Sequence, residues 1–306
     1  MIHSASTAAP PRDAGLRLDL LSCNILAGGS MRRYRDYVTH GWKHMLPAGK
    51  RANLDGLARI IRDFDLVALQ EADAGSLRSG FLNQTQYLAE TAEFPYWSHQ
   101  PNRRVSHLAT SSNGLLARRQ PDEVLAYPLP GRIPGRGALW ARFGTDADAL
   151  VVVIAHLSLG PKARTRQIAF LAELIGRHPC AVLMGDLNAP AKGRELERLY
   201  SHTSLVCPNE SPATFPSWRP RRAIDHILVS ASIEIERRWA LAYPVSDHLP
   251  IAARIRLPKP GVALALSNIP KEQDAEPLAR PTGDFTDLTV ATSKRRDKAL
   301  LPLVAG

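Results

Sequence analysis

The chain has 306 residues, enough for one large domain or two small ones, and its 44% hydrophobic and 22% charged content is that of an ordinary globular protein with a sizeable core. Three widely separated cysteines (Cys23, Cys180, Cys207) without a Cys-x-x-Cys argue against a disulfide framework or a thiolate zinc site and fit a reducing compartment. The net charge of +10 points to anionic, phosphate-bearing partners.

Residues 1–15 are rich in Ala, Ser and Pro and are expected to be a disordered segment; they lack the cationic start and apolar stretch of a secretory signal. The folded body is expected over 16–257. Its first strand, 18–26, delivers Asn24, and a helix follows over 53–62, with Leu54, Leu57, Ile60 and Ile61 at helical spacing. The strand over 65–70 delivers Glu71, and a helix is expected over 82–93. Strands over 113–118, 138–143 and 150–156 come next, the last delivering His156. After a helix over 163–177, the apolar run Ala181-Val182-Leu183-Met184 breaks at Gly185 into Asp186-Leu187-Asn188. Strand alternation places Asp186 and Asn188 on one face at the end of that strand. A helix over 193–200 precedes strands over 224–230, 233–239 and 250–256. Asp225 opens the first of these, and Ser246-Asp247-His248 precedes the last. Residues 258–306 lose all period and are expected to be a flexible tail. No apolar run approaches a membrane span, so a cytoplasmic protein without stable membrane insertion is expected.

Several separate strands thus each present a carboxylate, an amide or an imidazole at one end. Held on rigid edges, such groups can grip a hard cation or a phosphoryl oxygen. The positive charge is clustered: Arg32 with Arg33, Arg103 with Arg104, Arg118 with Arg119, and then Arg219, Arg221 and Arg222 around Trp218. The last group, just before Asp225, could clamp a phosphate bidentately. Trp218 could stack on a base or pack a loop.

These elements, in this order, resemble the endonuclease/exonuclease/phosphatase superfamily, whose fold is like that of deoxyribonuclease I. The resemblance rests on Asn24, Gln70-Glu71, Asn113-Gly114-Leu115-Leu116-Ala117-Arg118, His156, Gly185-Asp186-Leu187-Asn188, Ile224-Asp225-His226 and Ser246-Asp247-His248. It implies an α+β fold, a four-layer α/β/β/α sandwich of two mainly antiparallel sheets flanked by helices. It also implies a Mg²⁺ cofactor, with Mn²⁺ as a substitute, held by Glu71 with Asn24, and with Asp247 adding charge nearby. The catalytic residues it implies are Asp186 to orient or activate the attacking water, Asn188 and His156 on the phosphoryl group, and His248 oriented by Asp225. Whether Asp186 or His248 takes the water's proton stays open.

The chain also departs from some branches. Leu26 stands where abasic-site repair enzymes carry an acidic or amide residue, which speaks against a second metal there and against that activity. Trp218 and the three arginines replace the arrangement found near the late Asp in inositol phosphatases. The expected function is metal-assisted hydrolysis of a phosphate ester, most of all as a phosphodiesterase or nuclease, with nucleic acid among the candidate substrates. The alternatives are a phospholipid or sphingomyelin-type phosphodiesterase, a phosphomonoesterase, and a catalytically dead phosphate- or nucleic-acid-binding module. No protein partner is inferable.

Overall fold

The structure, a computed structural model, describes residues 15–26, 50–105, 109–131, 135–145, 149–176 and 178–258. The expected N-terminal segment and tail lie outside the described residues, save for Gly15 and Pro258, as do Arg32 and Arg33. The elements are β1 (Arg17–Asn24), α1 (Lys50–Ile61), β2 (Leu66–Asp73), α2 (Gln84–Thr91), β3 (Tyr96–Val105), β4 (Ala109–Ala117), β5 (Glu123–Pro128), β6 (Gly137–Phe143), β7 (Leu150–His156), α3 (Pro161–Ile175), β8 (Ala181–Asp186), α4 (Arg194–His202), β9 (Asp225–Val229), β10 (Glu234–Ala240) and β11 (Ile251–Arg256).

Two sheets form, ordered β10-β11-β1-β2-β4-β3 and β5-β6-β7-β8-β9. Among the described residues only β1–β2 and β7–β8 pair in parallel, and every other pair of neighbouring strands is antiparallel. The expected four-layer sandwich is the one observed, because three apolar layers separate four structural ones. Leu20, Ala68 and Leu115 of one sheet meet Val152, Ile154 and Met184 of the other. The opposite faces are covered by helices. Leu54, Leu57 and Ile61 of α1 and Leu88 of α2 pack on Leu21, Val67 and Leu69. Ile168, Leu171 and Ile175 of α3, with Leu196 and Leu199 of α4, pack on Val151, Val153 and Leu183.

Burial on both faces explains why β7 and β8 read as unbroken apolar runs: every residue of both strands is buried. The half-exposed strand β10 lies at a sheet edge, where its charged residues discourage pairing with another chain. Strands β3 and β5, at the opposite edges, were not expected from the sequence. Polar residues and Pro101 blur the alternation of β3, and its register against β4 shifts between Pro101 and Arg103.

Candidate active site

The two parallel pairs point their C-terminal ends to one rim of the sandwich. β1 ends at Asn24, which sits in register with Gln70 of β2, one residue before Glu71. β7 ends at His156, in register with Asp186 at the end of β8. Antiparallel neighbours begin where those strands stop: Asp225, first in β9, faces Asp186, and His248 precedes β11, which pairs with β1 from Ser22↔Ile251. Topology therefore gathers six polar residues that are far apart in sequence.

They are close in space. His156 Nε2 lies 3.4 Å from Asp186 Oδ2 and 3.9 Å from Glu71 Oε1. His248 Nε2 lies 3.8 Å from the same Asp186 oxygen, while its Nδ1 bonds Asp225 Oδ2 at 2.8 Å. Ligand atoms of Asp186, Asp225 and His248 all lie within 4.8 Å of one another, a buried cluster able to coordinate a metal ion. Asn24 Nδ2 reaches Asp186 Oδ2 at 3.4 Å and also bonds Glu71, while its Oδ1 accepts from the Leu26 backbone N–H. Asn24 thus turns its amide nitrogen to the carboxylates, and ligation through its oxygen requires the amide to turn over. Asp247 is half-buried, and its charge acts on both Glu71 and His248.

One expectation is corrected here. Asn188 does not continue the strand on the same face as Asp186. β8 stops at Asp186, whose Oδ1 accepts the Asn188 backbone N–H at 3.0 Å, and Asn188 takes a φ of 53°. The local carboxylate–backbone bond closes a turn, which competes with strand extension. Asn188 still lines the rim, its Nδ2 donating to the Leu157 carbonyl at 3.0 Å with one amide hydrogen left over.

Electrostatics follow from packing four acids into a small, largely dry volume. Burial, then the Asp225 charge, raises the Asp186 pKa against the opposing pull of His248 and the Asn188 N–H. Burial also raises Glu71, aided by Asp247 and opposed by Arg136 and Asn24. For His248 burial disfavours the cation, yet the Asp225 bond and the charges of Asp225, Asp186 and Asp247 outweigh it and lift the pKa to about 9. Burial, Arg136 and His248 all push His156 well below its ordinary value, which favours its neutral form.

The expected substrate-binding residues occupy a hairpin pinned over His248. Ser217 donates its backbone N–H to the Asp247 carbonyl at 2.7 Å and its hydroxyl to that of Ser246 at 2.7 Å. Phe215 sets its ring 4.9 Å from the His248 imidazole, and the Arg222 guanidinium stands 5.6 Å over Phe215. Arg219, Arg221 and Arg222 are exposed and Trp218 is half-buried. Arg118, by contrast, serves the fold, donating to the carbonyls of Arg62, Phe64, Ala92 and Glu93 and stacking 4.2 Å from the Phe94 ring centre.

Two neighbours of the site escaped the sequence reading. Thr214 donates its hydroxyl to Asp225 Oδ2, the oxygen that also holds His248. Arg136, just before β6, is a cation felt by both Glu71 and His156. An arginine between two glycines, Gly135-Arg136-Gly137, was the available signal.

Residues 21–248 match the model of the Endonuclease/Exonuclease/phosphatase family. No curated protein matches the chain. Among solved structures it is similar to an endonuclease/exonuclease/phosphatase from Beutenbergia cavernae, with a TM-score of 0.64 and 18% identity over 79% of this chain and 72% of that one. It is also similar to a family protein from Bacteroides thetaiotaomicron, with a TM-score of 0.60 and 19% identity over 80% and 99% of the two chains. A mannosyl-6-phosphatase from the same organism gives a TM-score of 0.57 and 19% identity over 78% and 99%. At these identities the likeness is one of fold. The family match spans most of the chain and includes all six converging residues from Asn24 to His248, so this chain belongs to the endonuclease/exonuclease/phosphatase family.

Proposed function

We propose that this protein is a Mg²⁺-dependent phosphodiesterase, with nucleic acid as the favoured substrate class. The observation that carries this reading is the convergence of Asn24, Glu71, His156, Asp186, Asp225 and His248 at one rim. The oxygen-rich donor set of Glu71 and Asp186, with Asp247 nearby, suits a hard divalent cation such as Mg²⁺ or Mn²⁺ better than a thiophilic one. Crowded carboxylates whose pKa values are raised by burial and by each other are also short of positive charge, which such an ion supplies. Held by Glu71 and Asp186, such an ion would supply Lewis-acid polarisation of a phosphoryl oxygen and of a water.

The protein's own groups supply the rest. Asp186, drawn by its surroundings to hold a proton, accepts one from the attacking water as the water oxygen bonds to phosphorus and the bond from phosphorus to the leaving ester oxygen breaks. His248 is fixed through Nδ1 by Asp225, which leaves Nε2 turned to the reacting group, and its cationic form opposes charge building on phosphorus-bound oxygens. The free hydrogen of Asn188 Nδ2 and the neutral His156 bind a nonbridging oxygen. Arg219, Arg221, Arg222 and Trp218 extend the grip along an anionic substrate.

A second reading, a phospholipid or sphingomyelin-type phosphodiesterase, draws on exposed Leu77 and Phe81 in the loop after β2 and exposed Leu159 after β7. Among the described residues no helix is long and apolar enough to cross a membrane. Hydrolysis of bis(nitrophenyl) phosphate tests the chemistry. Turnover is expected with Mg²⁺ or Mn²⁺, none with chelator, and a fall of about 10²–10⁴-fold in each of Asp186→Asn and His248→Ala. Nucleic-acid binding without metal-dependent turnover on diesters or monoesters would leave only the non-catalytic module. A panel of single-stranded and duplex DNA, RNA, cyclic dinucleotide, phospholipid and inositol phosphate then separates the substrate classes.

A further inference from the structure

Glu71 reaches the site because β2 carries one residue more than its partner. The β2–β4 register runs from Leu69↔Gly114 to Ala72↔Ser112. Gln70 and Glu71 therefore face the single residue Asn113, which is a β-bulge. Glu71 takes a φ of 59° there, a left-handed conformation that a glutamate keeps only when its surroundings hold it.

A polar layer between the two sheets lies beneath that bulge. Ser22 and Gln70 alternate with Leu20 and Ala68, which line the inter-sheet core. Ser22 Oγ donates to Gln70 Oε1 at 3.3 Å. From the neighbouring strand, Asn113 Nδ2 crosses to the other sheet and donates to the Gly137 carbonyl at 2.8 Å. Gln70 and Asn113 are both fully buried. Yet Gln70 Nε2, a donor, and Asn113 Oδ1, an acceptor, have no partner among the described residues. Two orphaned atoms of opposite character on adjacent strands and one face suit a single internal water, which accepts from one and donates to the other.

Stability alone does not explain this layer. Buried Gln100 of β3 joins this layer, accepting from Asn113 Nδ2 at 3.4 Å and donating to the Tyr127 carbonyl of the other sheet. The rest of the inter-sheet cluster is apolar, and replacing both partners of a buried polar pair with apolar groups of the same shape is close to neutral. The amides occur at the one end of the layer where a strand must bulge to deliver a carboxylate.

We propose that Gln70 and Asn113, joined through one internal water between the sheets, are a positioning pair that locks the β2 bulge and so aims Glu71 at the metal. The inference rests on the reading of Glu71 as a metal ligand. Neither amide touches substrate; each acts through the backbone of the bulge.

Mn²⁺ binding to the full chain, followed by calorimetry and by electron paramagnetic resonance, tests it without turnover. The proteins compared are wild type, Gln70→Met, Asn113→Leu, their double variant, Glu71→Gln, and Glu71→Gln combined with Gln70→Met. Each amide variant is expected to weaken Mn²⁺ binding by about tenfold or more, the scale of a lost outer-shell partner. The double variant should lose no more than the worse single one, because the pair is one link. In the Glu71→Gln background Gln70→Met should change nothing. If Glu71→Gln loses affinity while the amide variants bind like wild type, the positioning pair is refuted and the reading of Glu71 stands. If wild type binds no Mn²⁺, or Glu71→Gln binds as wild type does, both fall. An amide variant that does not fold also overturns the inference, since the pair would then serve the fold.

Discussion

Gly185→Ala tests whether the residue before Asp186 is fixed by backbone sterics. Gly185 pairs with Ala155 across the parallel β7–β8 ladder and adopts a φ of 142°. A Cβ built there lies 1.9 Å from the Ala155 carbonyl oxygen. Carbon–oxygen contacts in sheets rest at about 3.3 Å, so that carbonyl has to retreat by more than about 1 Å. Retreat is resisted, because β7 is buried along its whole length and held on its other side by β6. The dihedral costs about 1–3 kcal/mol for a residue with a side chain. Overpacking adds about 1–3 kcal/mol, for a total of about 2–6 kcal/mol. Urea unfolding, read as a lower midpoint at unchanged slope, measures it. Activity should fall with stability, since His156↔Asp186 is the next pair in the ladder and its 3.4 Å contact depends on that spacing. A stability change below about 1 kcal/mol would refute the reasoning, showing that the two strands part freely.

Glu195 at the start of α4 is held by Arg164 of α3 through bonds of 2.6 and 2.8 Å, and this bond, with the Arg164 charge, lowers its pKa against the effect of burial. A depressed folded-state pKa gives stability that is fully present above the ordinary glutamate value of about 4.3 and is lost as pH falls through the folded value. The stability gap between wild type and Glu195→Gln should therefore be about 1 kcal/mol at neutral pH and close as acid is added; a pH-independent gap contradicts this. Arg118→Ala should cost about 1–3 kcal/mol by unfolding, because four carbonyls lose their donor, and leave nucleic-acid affinity unchanged. Replacing Arg219, Arg221 and Arg222 together with Ala should do the reverse, flattening the salt dependence of binding by up to about three units of slope with little change in stability. Equal salt slopes in the two variants would count against the division of labour between these arginines.

Where a strand is buried on both faces its sequence announces it, as the runs ending at His156 and Asp186 do. The edge strands β9 and β10 kept enough of a pattern to be read, but β5 is only half-buried along its length and β3 is interrupted by polar residues and Pro101, so these two were invisible. The polar residues that end core strands were legible for the same reason as the strands themselves: a carboxylate or imidazole after four or five apolar residues has few places to go. Thr214 and Arg136 had no such frame. Each meets the site through a loop whose path is fixed by tertiary bonds, such as Thr214 N–H to the Arg222 carbonyl and the Leu129 N–H to that of Arg136. The placement of Asn188 failed because strand periodicity ignores what a carboxylate can do to the backbone two residues on. Charge clusters are ambiguous in sequence in the same way: Arg118 and Arg222 look alike there, yet one spends its donors on carbonyls inside the fold and the other stands exposed above Phe215.

The two parallel pairs explain why the candidate residues gather at one rim of the sandwich and not at the other. In β1–β2 and in β7–β8 both strands run toward that rim, so Asn24 stands beside Gln70, one residue before Glu71, and His156 stands beside Asp186, without a tight turn between them. Parallel neighbours need long connections rather than tight turns, and β7 is joined to β8 through α3. Antiparallel β9 and β11 then contribute their first residues to the same place, Asp225 directly and His248 just before. Each sheet supplies half of the constellation: Asn24, Glu71 and His248 from one, His156, Asp186 and Asp225 from the other. The distances that matter, 3.9 Å between His156 and Glu71 and 3.8 Å between His248 and Asp186, all cross the seam between sheets. Their precision is therefore set by the apolar layer of Leu20, Ala68, Val152 and Met184 that holds the sheets apart, which makes the innermost core of the sandwich part of the geometry of the candidate site.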